Sequence, residues 1–131
     1  MSKPVILCVD DEIVVLDSLK TQLKKAFDKE YLYEMAESAD EALEIIDELD
    51  EDEIDVLVIV SDWLMPGIKG DEFLIRVHQK FPNIVKVLLT GQADEEAIER
   101  AKTQANLHRC LFKPWTTEDL IETIRSGLSK S

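Results

Sequence analysis

The chain is poor in cysteine and in basic residues. Among its 131 residues only Cys8 and Cys110 are cysteines, and each lies in an apolar segment. That placement is typical of reduced, buried thiols rather than of a disulfide or a metal pair. Lysine and arginine number 15 against 28 aspartates and glutamates, for a formal net charge of -13. Because nucleic acids and anionic lipid surfaces require a basic face, the excess of acid argues against direct binding of either.

Long apolar runs are also missing from the sequence. No stretch approaches the roughly 20 apolar residues that a membrane-spanning helix requires. The start, Met1-Ser2-Lys3-Pro4, lacks the apolar segment of a secretory signal peptide, so we expect a cytoplasmic location. With 45% hydrophobic and 33% charged residues, the composition predicts one globular domain over residues 1–131 with its own core.

Short β-branched runs alternate with amphipathic helical patterns along the chain. This alternation predicts an α/β fold in which a parallel sheet lies between two layers of helices. The predicted strands cover residues 5–9, 31–36, 56–61, 85–89 and 110–112. A helix is expected after each strand, and the fourth, over residues 94–106, has an inner face made mostly of alanine. The order of the strands does not follow from these patterns.

Four of the predicted strands stop at polar residues that can handle phosphate or metal. Asp10 and Asp11 follow the first strand, Asp62 the third, Thr90 the fourth and Lys113 the fifth. Ligands of open parallel sheets bind in the crevice beyond the carboxyl ends of the strands. We therefore expect these five side chains to lie around one pocket.

The three aspartates predict a site for a divalent cation. Carboxylates gathered in one crevice repel each other, and burial increases that cost. Because all the candidate ligands are hard oxygens, magnesium is the expected ion, with manganese as the alternative. A simpler interpretation is that Asp10 or Asp11 only caps the first helix, which is a common role for aspartate.

Thr90 and Lys113 supply a hydroxyl donor and an ammonium charge that suit phosphoryl oxygens. Alternatively, Thr90 is an ordinary strand-ending residue and Lys113 forms a structural ion pair. Taken together, the metal, the carboxylate, the hydroxyl and the ammonium favour phosphoryl transfer, with Asp62 as the nucleophile that forms an aspartyl phosphate. The Lys113–Pro114 bond is a candidate for the cis form.

The ordered set of these motifs resembles the receiver domain of two-component response regulators, of the chemotaxis-regulator type. The resemblance covers essentially the whole chain, and it rests on Val9-Asp10-Asp11-Glu12, Ser61-Asp62-Trp63-Leu64-Met65-Pro66-Gly67, Thr90-Gly91 and Phe112-Lys113-Pro114-Trp115. It implies a flavodoxin-like, doubly wound five-stranded sheet in the order 2-1-3-4-5 flanked by five helices. It also implies a phosphoprotein of a two-component system or phosphorelay.

The resemblance further implies roles for single residues. Asp62 would accept the phosphoryl group from a phosphohistidine of a sensor histidine kinase or a phosphotransfer protein. Magnesium would be bound by Asp11, Asp62 and the backbone carbonyl of Leu64, with Asp10 acting through water. Thr90 and Lys113 would contact the phosphoryl group, and the resulting change would reach an output domain or a downstream protein.

One position departs from the family pattern. Three residues before the lysine, where the family usually has a Tyr or Phe that couples to the threonine, this chain has Cys110. His108 and Trp115 are nearby candidates for that aromatic role, and packing or exposure is the alternative for both.

Two other functions compete with the receiver hypothesis. A magnesium phosphatase of the aspartyl-phosphate type needs a second Asp two residues after the nucleophile, where Leu64 stands and cannot transfer a proton. A nucleotide- or flavin-binding module needs a Gly/Ser/Thr-rich loop after the first strand, where Asp10-Asp11-Glu12 stands. We therefore expect a switch that catalyses its own modification, not an enzyme with a turnover substrate.

Overall fold

Five parallel strands form one sheet within residues 3–92 and 94–130, which are the residues that the computed structural model describes. The strands are β1 (Val5–Val9), β2 (Leu32–Ala36), β3 (Val56–Asp62), β4 (Val85–Thr90) and β5 (Arg109–Phe112). The α-helices that follow them are α1 (Ile13–Phe27), α2 (Ala39–Glu51), α3 (Gly70–Lys80), α4 (Glu95–Gln104) and α5 (Thr117–Lys130). The strand order is β2-β1-β3-β4-β5, so the doubly wound arrangement implied by the resemblance is confirmed.

Helices cover both faces of this sheet. Leu7 of β1 belongs to a core shared with α2, α3 and α4, whereas its neighbour Cys8 belongs to a core shared with α1 and α5. Successive side chains of a strand point to opposite faces, so all five residues of β1 are buried. Among the described helices, none has both the length and the apolarity needed to cross a bilayer.

Helix α4 is shorter than the sequence predicted. Asp94 is its N-cap rather than its first helical residue, because the Asp94 carboxylate accepts the N–H groups of Glu96 and Ala97 at 3.1 and 3.2 Å. At the other end Asn106 has a φ of 51°, a left-handed conformation that stops a helix. The strand predictions were each within one residue of the observed bounds, and the extra residue of β3 is Asp62 itself.

Candidate functional site

The carboxyl ends of β1, β3, β4 and β5 bring the predicted residues to one edge of the sheet. Asp10 follows β1 directly, while Asp62 and Thr90 are the last residues of β3 and β4. Lys113 follows β5, and its backbone N–H donates to the carbonyl of Thr90 at 2.8 Å. The expected pocket at the strand ends is therefore formed.

Three carboxylates meet in this pocket. Asp10, Asp11 and Asp62 each place a ligand oxygen within 4.8 Å of the other two, with Asp10 and Asp62 buried and Asp11 exposed. Hard oxygens so placed fit a divalent cation such as magnesium. The capping alternative holds in small part: Asp10 Oδ1 accepts the N–H of Glu12 at 2.9 Å, but no side chain caps the first turn of α1.

The ammonium of Lys113 joins two of these acids. Its Nζ lies 3.0 Å from Asp10 Oδ2 and 3.2 Å from Asp62 Oδ1. Burial lowers the pKa of Lys113, but the hydrogen bond and charge of Asp10 and the charge of Asp62 outweigh burial, so the net shift is upward. The structural ion pair considered for Lys113 is present, and it places the ammonium beside the candidate nucleophile.

The pKa of Asp62 is raised above the ordinary value of an aspartate carboxyl group. Burial, and next the charge of Asp10, raise its pKa from 3.8 to about 6, while Lys113 opposes them only in part. Near neutral pH the Asp62 side chain is thus ionised. The single positive charge of Lys113 does not balance the negative charges of the three aspartates. A cation entering beside Asp11 would relieve that imbalance.

Thr90 is near the acids but its hydroxyl points to its own loop. Thr90 Oγ1 donates to the carbonyl of Gln92 at 2.6 Å and accepts the N–H of Gln92 at 3.1 Å. No hydrogen bond joins its hydroxyl to Asp62 or Lys113 in the described part of the chain. A Cβ placed on Gly91 would lie 3.9 Å from Cδ of Lys113, so this glycine borders the lysine side chain.

The remaining residues considered in the sequence differ in their exposure. Leu64, two residues past Asp62, is 50% exposed. Cys110 is half-buried beside Leu88 of β4, and burial raises the pKa of its thiol, with Lys102 opposing. The Lys113–Pro114 bond is cis, as anticipated. Both cysteines are free thiols, and Cys8 is fully buried.

His108 and Trp115 are hydrogen-bonded to helices α5 and α1, respectively. The Nε2 atom of His108 contacts Ser126 Oγ at 2.8 Å and the carbonyl of Thr123 at 3.1 Å, both on α5. Trp115 Nε1 donates to Gln22 Oε1 on α1 at 2.8 Å. Neither ring therefore takes the place of the missing aromatic beside Thr90.

Residues behind the pocket were missed by the sequence reasoning. A Cβ on Gly70 would lie 2.2 Å from the carbonyl oxygen of Asp62, and the N–H of Gly70 donates to the carbonyl of Trp63 at 2.8 Å. Asp71 is buried and contacts both Trp63 and Arg100. Acids are frequent in the first turn of any helix, so the motif Gly70-Asp71-Glu72 does not distinguish the buried acid from the exposed one.

Known proteins share both the sequence pattern and the fold. Residues 6–125 match the model of the response regulator receiver domain. The chain is 34% identical over 123 residues to the hydrogenase transcriptional regulatory protein HoxA of Cupriavidus necator, a match that covers 94% of this chain and 24% of that protein. It is 27% identical over 117 residues to the chemotaxis protein CheY-3 of Vibrio cholerae, covering 86% of this chain and 88% of that protein.

A solved structure repeats the whole architecture. The signal receiver domain of an HD domain-containing protein from Pseudomonas fluorescens superposes with a TM-score of 0.86 at 30% identity, covering 98% of this chain and 96% of that one. The chain spans about a quarter of the length of HoxA, so the similarity to that protein is to one part of it. With its strand order, its acidic pocket and a family match over residues 6–125, the chain belongs to the receiver domain family of two-component response regulators.

Proposed function

We propose that this chain is a phosphoacceptor switch in which Asp62 takes a phosphoryl group from a phosphohistidine of a sensor histidine kinase or a phosphotransfer protein. The observation that carries the proposal is the position of Lys113 Nζ, 3.0 Å from Asp10 and 3.2 Å from Asp62. Those contacts lie beside three carboxylates whose oxygens are within 4.8 Å of one another. A candidate nucleophile, an ammonium group and a set of candidate metal ligands thus share one pocket.

Magnesium would be held by the side chains of Asp11 and Asp62 and by the backbone carbonyl of Leu64. Asp10, whose Oδ2 already accepts from Lys113, would act through water. Manganese would fit the same hard-oxygen set. When bound, the metal would neutralise charge on the carboxylates and on the transferred phosphoryl oxygens.

The transfer needs no catalytic base, because Asp62 attacks as a carboxylate. One of its oxygens forms a bond to phosphorus while the phosphorus–nitrogen bond to the donor imidazole breaks, and the electron pair stays on that nitrogen. Lys113 would neutralise charge on the phosphoryl oxygens in the loose transition state. Thr90 would exchange its bond to the Gln92 carbonyl for one to a phosphoryl oxygen, and Cys110 would leave more room for that movement than an aromatic ring.

The reaction would be self-modification rather than turnover of a substrate. Leu64 stands two residues past Asp62 and offers no group that could help water attack the aspartyl phosphate. We therefore propose that the chain catalyses its own phosphorylation and its own slow dephosphorylation, and that the phosphoryl state is the signal.

Partners would bind at the rim of the pocket. Ile13 and Val14 at the start of α1, Leu64 after β3 and Phe112 at the end of β5 are all apolar and exposed. Exposed apolar groups around an acidic pocket suit an apolar helix face that presents a phosphohistidine. HoxA is named a transcriptional regulatory protein, and this chain matches only about a quarter of the length of HoxA. We therefore propose that the signal passes to an output domain or to a downstream protein.

We propose a cytoplasmic location on the basis of the two free thiols. Cys8 and Cys110 are both unpaired. Free cysteines persist in reducing compartments.

Incubation with acetyl phosphate and magnesium tests the proposed function. The unaltered chain should gain the mass of one phosphoryl group, measured by intact mass, and Asp62→Asn should gain none because its amide is not a nucleophile. Asp17→Asn, on the exposed face of α1, is the matched control and should be phosphorylated as the unaltered chain is. Undiminished phosphate in Asp62→Asn would exclude Asp62 as the acceptor.

A further inference from the structure

Asp71 is a buried carboxylate that has no part in the proposed phosphoryl transfer or metal binding. It lies in the first turn of α3, is 4% exposed and is separate from the three clustered aspartates. Its Oδ1 accepts the indole N–H of Trp63 at 3.1 Å, and its Oδ2 accepts from Nη1 of Arg100 at 2.7 Å. A buried charge is costly unless it is paired and hydrogen-bonded, and here each oxygen has its own donor.

The first donor, Trp63, comes directly after the candidate nucleophile. Its backbone N–H donates to the carbonyl of Leu89 at 3.0 Å, and its carbonyl accepts the N–H of Gly70 at 2.8 Å. Trp63 is only 8% exposed, so its indole has a defined place. Because Asp62 precedes Trp63 and Leu64 follows it, the orientation of Trp63 sets how the chain leaves β3.

The second donor, Arg100, lies on α4. This helix buries little apolar area against its neighbours, since its buried residues are Ala97 and Ala101. Arg100 also contacts Glu72 of α3 at 3.3 Å, and its side chain is 45% exposed. The ion pair with Asp71 is therefore a principal polar contact between α4 and the segment behind the pocket.

We propose that Asp71 is a positioning residue for phosphoryl acceptance: it holds the indole of Trp63, and thereby fixes the Asp62–Leu64 segment that carries the nucleophile and a metal-binding carbonyl. Arg100 pairs with the other oxygen of the Asp71 carboxylate and offsets its buried charge. The inference rests on the proposed function, because it assigns Asp71 to the same reaction.

Two pairs of variants separate the indole contact from the ion pair. Asp71→Leu loses both contacts, and Trp63→Phe loses the indole N–H while keeping an aromatic ring. Asp71→Asn keeps an oxygen for the indole and loses the charge facing Arg100, and Arg100→Gln loses the same ion pair from the other side. Arg76→Gln is the control, because it removes an exposed pair with Glu72, 3.2 Å apart, within α3.

The measurements are magnesium affinity by calorimetry and the rate of phosphorylation by acetyl phosphate, with the free energy of unfolding followed in parallel. Asp71→Leu and Trp63→Phe should each reduce the affinity or the rate by about tenfold, a size typical of losing a hydrogen bond to a charged group. The two losses should not add in the double variant Asp71→Leu/Trp63→Phe, because both substitutions remove the same hydrogen bond. Asp71→Asn and Arg100→Gln should stay within about threefold of the unaltered chain, and Arg76→Gln should match it.

Several outcomes would overturn the inference. Asp71→Leu that keeps the affinity and rate of the unaltered chain would do so, as would full additivity of Asp71→Leu and Trp63→Phe. If Asp71→Leu does not fold, Trp63→Phe and Asp71→Asn decide: a loss in Asp71→Asn with none in Trp63→Phe would show a general charge effect and not the indole contact. Failure of the unaltered chain to accept phosphate would count against the proposed function instead.

Discussion

The two ends of the sheet bury charge in opposite ways. At the carboxyl end, Asp10, Asp11 and Asp62 lie together, and Lys113 pairs with Asp10 and Asp62, so negative charge is in excess. At the amino end of β4, Lys86 is 1% exposed and its Nζ donates to the carbonyl of Ile84 at 2.8 Å. In the described part of the chain no acid forms a salt bridge with Lys86.

Burial favours the neutral form of the ionisable side chain at each end of the sheet. The neighbouring charges determine whether a ligand is attracted. Burial raises the pKa of Asp62 to about 6 and lowers the pKa of Lys86 to about 8. At the carboxyl end several like charges repel each other, so a cation is attracted. At the amino end a single ammonium is satisfied by backbone carbonyls, so no ligand is needed. A buried charge predicts a site only where uncompensated charges accumulate.

The largest effect should come from filling the space beside the acidic pocket. A Cβ on Gly70 would lie 2.2 Å from the backbone oxygen of Asp62, whereas a Cβ on Gly127 would lie 2.5 Å from a side-chain methyl of Val85 at the amino end. Gly70→Ala should lower the free energy of unfolding by about 3 kcal/mol or more, because the new methyl group would displace the backbone at Asp62. Gly127→Ala should cost less, about 1–2 kcal/mol, because the atoms that its Cβ would meet belong to the side chains of Val85 and His108 and because alanine favours the helix. Urea unfolding measures both, and equal losses would contradict the comparison.

Removing the proposed nucleophile, Asp62, should stabilise the metal-free protein. The pKa of Asp62 is about 6 in the folded chain against an ordinary 3.8, so its proton stabilises the fold below about pH 4 and this gain is lost as the pH rises through 6. Asp62→Asn should therefore raise the free energy of unfolding at pH 7 by about 1–3 kcal/mol, and by little at pH 4. Magnesium should stabilise the unaltered chain more than the variant. A variant less stable at pH 7 without magnesium would contradict this.

Magnesium affinity should depend on pH through the same carboxyl group. With a pKa of about 6, the ionised fraction of Asp62 falls as the pH drops. The affinity should weaken by about tenfold from pH 7 to pH 5, because the proton competes with the ion. Calorimetric titration at the two values measures this, and Asp17→Asn should follow the same profile. An affinity that does not change would show that Asp62 is not a ligand.

The smallest effect should come from the buried ammonium at the amino end. Burial lowers the pKa of Lys86 from 10.5 to about 8, so the folded chain releases this proton first and stability from this group rises between pH 8 and 10.5. Lys86→Met should gain about 1 kcal/mol at pH 7, limited by the carbonyls left without a donor, and less at pH 10. Lys80→Met, at an exposed lysine whose pKa is raised by its hydrogen bond to Asp47, should show no gain of stability at pH 7. A loss of stability at pH 7 would contradict the prediction.

The pocket was predictable because the carboxyl ends of parallel strands all lie at the same edge of the sheet. Apolar runs that stop at Asp10, Asp62 and Lys113 must, in a parallel sheet, deliver those side chains to one edge. The burial of Asp71 was not predictable, because its donors come from Trp63 and Arg100, which are distant along the chain or across a turn. The burial of Lys86 was not predictable either. A lysine inside a strand suggests an edge strand, yet β4 lies between β3 and β5.

The places of the two tryptophans give this protein a built-in optical reporter. Trp63 lies against Asp71 beside Asp62, whereas Trp115 is bonded to Gln22 on α1. Trp115→Phe would leave a single tryptophan next to the acids, and its fluorescence should report the proposed ion binding and phosphoryl transfer in real time without an attached dye.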